Sequence, residues 1–228
     1  AEGSSARRWL LGLGGAGLLV GLVVLFYQPY LRWNVQGYNS VDLWEGSRSP
    51  FWSYITHWAL PLFILTFWMG WETREWMAQT PVSALQKLKK YEGWIYSLLA
   101  ALFAAAALLT FVPKVQVAWL IILLGSWATA LLLRKDQPDE KRAALFMMGS
   151  GLMLTLMVEV IVLVGDIGRM NTVFKFYLQA WTLLNLAAAA ALIWLMPAVM
   201  ERWGARLRSG FQTALGILVG AALLFPLL

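Results

Sequence analysis

Cysteine is absent from this sequence of 228 residues, and histidine occurs only once. The lack of cysteine excludes disulfides and thiolate metal sites, and one histidine is too few for a histidine-rich metal site. We therefore predict no cysteine-based or histidine-rich metal site, and the composition identifies neither a metal ligand nor a cofactor. Charged residues are also scarce, at 13%, whereas hydrophobic residues make up 60% of the chain.

Apolar runs of about twenty residues recur along the chain, and each is long enough to cross a ~30 Å hydrocarbon core. A soluble fold of this size would not use such runs repeatedly. We predict an all-α, polytopic transmembrane helical bundle that forms a single domain over residues 1–228 and lies in the cell membrane. The predicted spans are residues 9–31, 51–71, 93–112, 115–133, 144–165, 173–197 and 211–228.

Lysine and arginine are unevenly distributed between the segments that join these seven spans. Most lie before span one and between spans two and three, four and five, and six and seven. The positive-inside rule therefore places the N-terminus in the cytoplasm and the C-terminus outside. The net charge of +6 is thus explained by helix orientation. We expect membrane lipids as partners, and no nucleic acid.

Two polar segments face outward in this topology, residues 34–58 and residues 164–181, "VGDIGRMNTVFKFYLQAW". In the second segment, Asn171, Lys175 and Gln179 are four residues apart and share one helix face. These side chains put a polar stripe at the start of span six, on the extracytoplasmic side.

An acidic stripe ends span five, where Glu159 precedes Asp166 by seven residues. Glu159 lies ~10 Å inside Asp166, and His57 lies ~9 Å below the outer surface, at ~1.5 Å per residue. A carboxylate at that depth costs at least ~2.5 kcal/mol unless it faces protein or water. Glu159 should therefore point into the bundle.

These depths suggest that Glu159, His57, Lys175 and Asp166 line one cavity open to the outside. Lys175 and Arg169 would attract an anion there, while a carboxylate or His57 would handle a proton. The alternative is that Glu159 and Lys175 form an internal salt bridge that fixes the packing of spans five and six, with His57 as a hydrogen-bonded core residue.

The same residues suggest a family. The stretch "GDIGRMNTVFKFYLQAW", with Glu159 seven residues ahead of its Asp, resembles the signature of the YYY-type membrane proteins, a poorly characterised family of bacteria and archaea. Two further stretches, "LWEGSRSPFWSYITHWALPLFIL" and "RSGFQTALGILVGAALLFPLL", resemble the same family. The resemblance covers roughly residues 40–228.

That family in turn resembles the C-type glycosyltransferases, which move sugars from polyprenyl-phosphate donors at the outer membrane face. The resemblance implies that Arg169 and Lys175, flanked by Asn171 and Gln179, hold the lipid phosphate and the substrate. It also implies that an acidic residue, for which Asp166 and Glu159 are the candidates, acts as a base or metal ligand. His57 stays a catalytic candidate because of its predicted depth, not because of the resemblance.

The family's tyrosine run and the large first outer loop of the C-type enzymes are absent here. We therefore expect either that the chain is part of a longer parent whose N-terminal portion holds the catalytic half, or that it is a split or degenerate member. The alternative function is a non-catalytic integral membrane subunit that packs against partner subunits of a larger complex. A transporter that relays protons through Glu159 and His57 is a third alternative.

Overall fold

The computed structural model describes residues 5–33, 40–81, 83, 86, 89–165 and 168–224. These residues include seven helices of fifteen residues or more. The helices are α1 (Ser5–Trp33), α2 (Phe51–Gln79), α3 (Glu92–Phe111), α4 (Ala118–Leu132), α5 (Asp139–Val160), α6 (Met170–Glu201) and α7 (Ala205–Leu224). A single 3-10 turn, Lys89–Tyr91, precedes α3, and two short strands, β1 (Val41–Leu43) and β2 (Ile161–Leu163), pair with each other.

Five of the described helices, namely α1, α3, α5, α6 and α7, are long and apolar enough to cross a membrane. A shorter apolar helix, α4, lies among them. These helices confirm an all-α, polytopic helical bundle. Each of the seven predicted segments overlaps one helix, whereas the direction in which the helices cross the membrane stays a prediction.

The chain divides into two compact units, residues 1–39 and 40–228. The described part of the first unit is α1, whose side chains from Leu10 to Tyr30 are all exposed. That α1 belongs to the same transmembrane domain as the second unit stays a prediction.

The core of the second unit lies between α2, α4, α5 and α6. Buried residues of α6 recur every three or four positions and include Leu184, Ala187, Ala191 and Leu195, the pattern of one inward helix face. Small residues bring α5 and α6 close together, because a Cβ added at Gly151 would lie 2.8 Å from Cγ of Leu184. The other two helices of this unit lie at the periphery, with α3 packed on α4, and with α7 packed on α2, where Phe211 joins the core.

The two ends of this unit differ in the segments that form them. The sheet end contains residues 40–50, 112–117 and the described part of 161–169, with β1 antiparallel to β2. The basic end contains the opposite ends of α2, α4 and α6, where Arg134, Lys141 and Arg202 meet side chains of α2. The distribution of basic residues predicts that the sheet end faces the outside of the cell.

Candidate functional site

Glu159 occupies the last turn of α5 at the sheet end and has no exposed surface. It points into the bundle, as the cost of burying a carboxylate in lipid predicts. Its carboxylate accepts a hydrogen bond from the backbone N–H of Ser49 at 2.9 Å and another from the Ser49 hydroxyl at 2.6 Å. Nη1 of Arg169 lies 2.9 Å from Oε1 of the same carboxylate.

Arg169, at the start of α6, makes further hydrogen bonds through its guanidinium. Nη1 also donates to the Val158 carbonyl at 3.0 Å, and Nη2 donates to the Ser49 hydroxyl at 3.2 Å. The guanidinium carbon lies 5.7 Å from the centre of the Trp44 ring, within cation–π range. We call Ser49, Glu159 and Arg169 the Glu159 clasp, because they connect the loop before α2 with α5 and α6.

Backbone pairing explains why these three segments meet. The Trp44 N–H donates to the Val160 carbonyl at 2.8 Å, which continues the β1–β2 ladder to the end of α5. Gly46 lets the loop fold back on itself, since a Cβ there would lie 2.2 Å from the Trp44 ring. Gly168 has φ of +61°, a conformation that glycine adopts without strain, and it directly precedes Arg169.

The prediction that Glu159, His57, Lys175 and Asp166 line one cavity open to the outside is wrong for Glu159, because Glu159 has no exposed surface. The prediction assumed a helix as far as residue 165, but α5 ends at Val160 and the chain continues into β2. Because α5 ends early, Arg169 pairs with the Glu159 carboxylate, which was the role expected for Lys175.

The other predicted site residues lie elsewhere. Asn171, Lys175 and Gln179 are on an exposed face of α6. The His57 ring is exposed and contacts the rings of Trp58 and Tyr177, with centroid distances of 4.7 and 5.8 Å. Asp166 lies outside the described residues.

A second buried polar contact joins α2 to α5 below the clasp. The hydroxyls of Tyr54 and Thr155 are 2.9 Å apart, and both residues are buried. Thr155 lies one helical turn before Glu159, so both polar residues of α5 face inward, as their spacing predicts.

A cavity of about 760 Å³ lies at the sheet end, between the loop that follows β1 and the turn from α3 to α4. Its polar lining residues are Glu45, Arg48, Lys114 and Gln116, among others. Its apolar lining includes Leu108, Leu109 and Val112 from the end of α3. The cavity is therefore amphiphilic, because charged and aliphatic side chains both line it.

Arg48 connects this cavity to the backbone around it. Its Nε donates to the Pro113 carbonyl at 2.9 Å, and its Nη2 donates to the Trp44 carbonyl. Its Nη1 is buried and has no hydrogen-bond partner among the described residues. Burial lowers the pKa of the Arg48 guanidinium, the nearby Glu159 carboxylate opposes that shift, and Arg169 adds to it. An arginine stays protonated under such a shift, so the cavity keeps this positive charge.

Lys114 stands in the turn with φ of +60°, in the left-handed region that side chains other than glycine, asparagine and aspartate seldom adopt. Such conformations persist only where the surrounding structure holds them, and they cluster at binding sites. Sequence reasoning named none of Glu45, Arg48 and Lys114 as a candidate site residue. The one local signal was the Ser-Pro turn at Ser49, which marks where the outer loop enters α2.

Within the described ranges, no three histidine, aspartate or glutamate side chains are grouped so that they could hold a metal ion. The residues that could hold a ligand at this end are Arg48, Lys114 and Gln116.

The fold and these buried polar contacts define a polytopic helical membrane protein. Residues 2–184 match the model of a family described as "Uncharacterized membrane protein (DUF2298)". The match covers most of the chain, and this protein belongs to that family. No curated protein and no solved structure matches the chain.

Proposed function

We propose that this chain forms part of a C-type glycosyltransferase that takes a sugar from a polyprenyl-phosphate donor at the extracytoplasmic face. The observation that carries the proposal is the amphiphilic cavity at the sheet end. Its cationic lining residues, Arg48 and Lys114, suit a lipid phosphate, and its aliphatic lining residues suit the first isoprene units.

The proposal moves the phosphate site away from Arg169. Arg169 is already bound to Glu159, Val158 and Ser49. Arg48 lines the cavity, and its buried Nη1 has no hydrogen-bond partner in the part of the chain that the structure describes. The Glu159 clasp then has a positioning role, because it fixes the loop that carries Arg48. Lys175 lies on the exposed face of α6 and is left out of this site.

The reaction needs a base on the acceptor side, and Glu45 is the carboxylate that lines the cavity. In the transfer, the bond between the anomeric carbon and the donor phosphate oxygen breaks. A bond forms from that carbon to an acceptor hydroxyl oxygen, Glu45 takes the hydroxyl proton, and the polyprenyl phosphate leaves.

The test is transfer of labelled sugar from a polyprenyl-phosphate donor in vesicles that contain the protein, comparing wild type with Lys114→Asn. Asparagine tolerates positive φ, so the variant removes the charge and keeps the turn. We expect transfer at limiting donor to fall about tenfold, equivalent to ~1.4 kcal/mol. Lys135→Asn, in the turn after α4, is the matched control and should leave transfer unchanged. Equal transfer by all three proteins would refute the proposal.

A non-catalytic membrane subunit is the second candidate, and the closed Glu159 clasp favours it. Two residues predicted to carry chemistry, Glu159 and Arg169, are fully engaged in joining segments. This function predicts a stable stoichiometric complex purified from native membranes, with no sugar transfer by wild type and an assembly unaffected by Lys114→Asn.

A further inference from the structure

A second cavity, of about 470 Å³, lies at the basic end of the bundle, between α2 and the junction of α6 and α7. Its lining includes Phe67, Trp71 and Arg74 of α2, and Arg202, Trp203 and Leu207 from the junction. The function proposed above does not use this cavity, and the inference below does not depend on that function.

Two arginines lie on the rim of this basic-end cavity around one indole. The guanidinium carbon of Arg74 is 4.8 Å from the centre of the Trp71 ring, and that of Arg202 is 6.0 Å from it. Glu75 accepts from Nη1 of Arg74 at 3.5 Å and from Nη1 of Arg202 at 3.0 Å. Two cations and one anion leave the rim with a positive charge.

The same two side chains are accessible to a ligand. Arg74 is 65% exposed and Arg202 is 61% exposed. A guanidinium has five N–H donors, and Glu75 engages one nitrogen of each group. Further donors of both arginines therefore remain available to an anion at the rim, beside Glu75.

Below the arginines, the wall of the cavity is aromatic. Phe67 and Trp203 lie 5.9 Å apart between ring centres, and both contact the ring of Phe211, at 5.2 and 5.4 Å. Phe211 is buried, and Leu207 at the open side of the cavity is exposed. A ligand that places an anion on the rim would thus meet apolar surface directly beneath it.

We infer that this cavity binds the headgroup of an anionic phospholipid from the surrounding leaflet. The phosphate diester accepts from both guanidiniums, and the glycerol backbone and upper acyl chain pack against Phe67, Trp203 and Leu207. A zwitterionic lipid is the weaker ligand, because its quaternary ammonium would lie near two arginines. The predicted topology places this cavity at the cytoplasmic leaflet, where basic pockets between helices meet anionic lipid.

The experiment is native mass spectrometry of the purified protein in detergent, titrated with dioleoylphosphatidylglycerol or dioleoylphosphatidylcholine. We expect wild type to retain phosphatidylglycerol preferentially. Arg202→Gln and Arg74→Gln should each weaken that binding roughly fivefold, as expected for one basic residue near an anionic headgroup. Gly204→Leu should weaken it while leaving all charges in place. Gly204 lines the cavity, and a Cβ there meets no other atom within 4 Å.

Arg206→Gln is the matched control, since Arg206 is an exposed arginine of α7 that does not line the cavity. Equal weakening by Arg206→Gln and Arg202→Gln would overturn the inference, because bulk charge alone would then explain binding. Equal retention of the two lipids by wild type would overturn it as well. Unchanged binding by Gly204→Leu, with helicity and unfolding like those of wild type, would place the lipid elsewhere and also refute it.

Discussion

Each end of the bundle holds a buried carboxylate paired with a cation, but the two pairs lie in different surroundings. At the sheet end, the Glu159 carboxylate is fully buried and Arg169 is 15% exposed. At the basic end, Lys141 of α5 donates to Glu72 of α2, and these side chains are 25% and 8% exposed. The carboxylate at the sheet end also accepts twice from Ser49.

This difference shows how the same residue types serve two purposes in one bundle. At the sheet end, Ser49 and Arg169 come from separate segments and both donate to the Glu159 carboxylate, so this charge holds the two segments against α5. At the basic end, the arginines of the rim stay exposed, so charge remains available to a ligand. A deeply buried pair is costly to break, whereas an exposed pair contributes little to stability.

The largest expected effect comes from Arg169→Met, which leaves Glu159 buried without its cation. We expect the free energy of unfolding to fall by about 3–5 kcal/mol, since an uncompensated buried charge remains. Urea unfolding in detergent, followed by tryptophan fluorescence, would measure it. The double variant Glu159→Gln with Arg169→Met should recover most of the loss. A single variant as stable as wild type would mean that the clasp does not stabilise the fold.

A smaller effect is expected from Lys141→Met at the basic end. The buried Glu72 carboxylate loses its cation there, but Lys141 is 25% exposed against 15% for Arg169, so water reaches this site more readily than it reaches Glu159. We expect a loss of about 1–3 kcal/mol in the same unfolding assay, the range for a buried polar group left without its partner. A loss as large as that of Arg169→Met would show that the Glu72–Lys141 pair stabilises the fold as strongly as the Glu159–Arg169 pair, despite its greater exposure.

Sequence reasoning predicted the helices well, because long apolar runs have few alternatives to a helix in lipid. It also predicted the inward direction of Glu159, which follows from the cost of a carboxylate in hydrocarbon. Both conclusions depend on local composition and depth alone.

The partner of Glu159 was not predictable in the same way. Counting residues from a straight hairpin pointed to Lys175, but the pairing of β2 with β1 shortens α5 and brings in Arg169. Strands of three residues, joined across more than one hundred positions, leave almost no periodic signal. For the same reason, the sequence did not identify Arg48 and Lys114 as site residues, because their cavity forms only where distant segments of the chain meet.

The smallest effect on stability is expected from Glu75→Gln, which removes the carboxylate between Arg74 and Arg202. Because both arginines are mostly exposed, the free energy of unfolding should change by less than about 1 kcal/mol. Anionic lipid should instead bind severalfold more tightly, since Glu75 no longer competes for the guanidinium donors.

The control for that prediction is Glu140→Gln, which removes an exposed negative charge from the start of α5, away from the cavity lining. If Glu140→Gln raises lipid retention as much as Glu75→Gln does, the gain reflects net charge and not the rim. If Glu75→Gln destabilises the protein as strongly as Arg169→Met, the rim is a structural pair like the clasp. A gain confined to Glu75→Gln, with stability unchanged, would separate the two ends as expected: one holds the fold together with its charges, and the other holds a ligand.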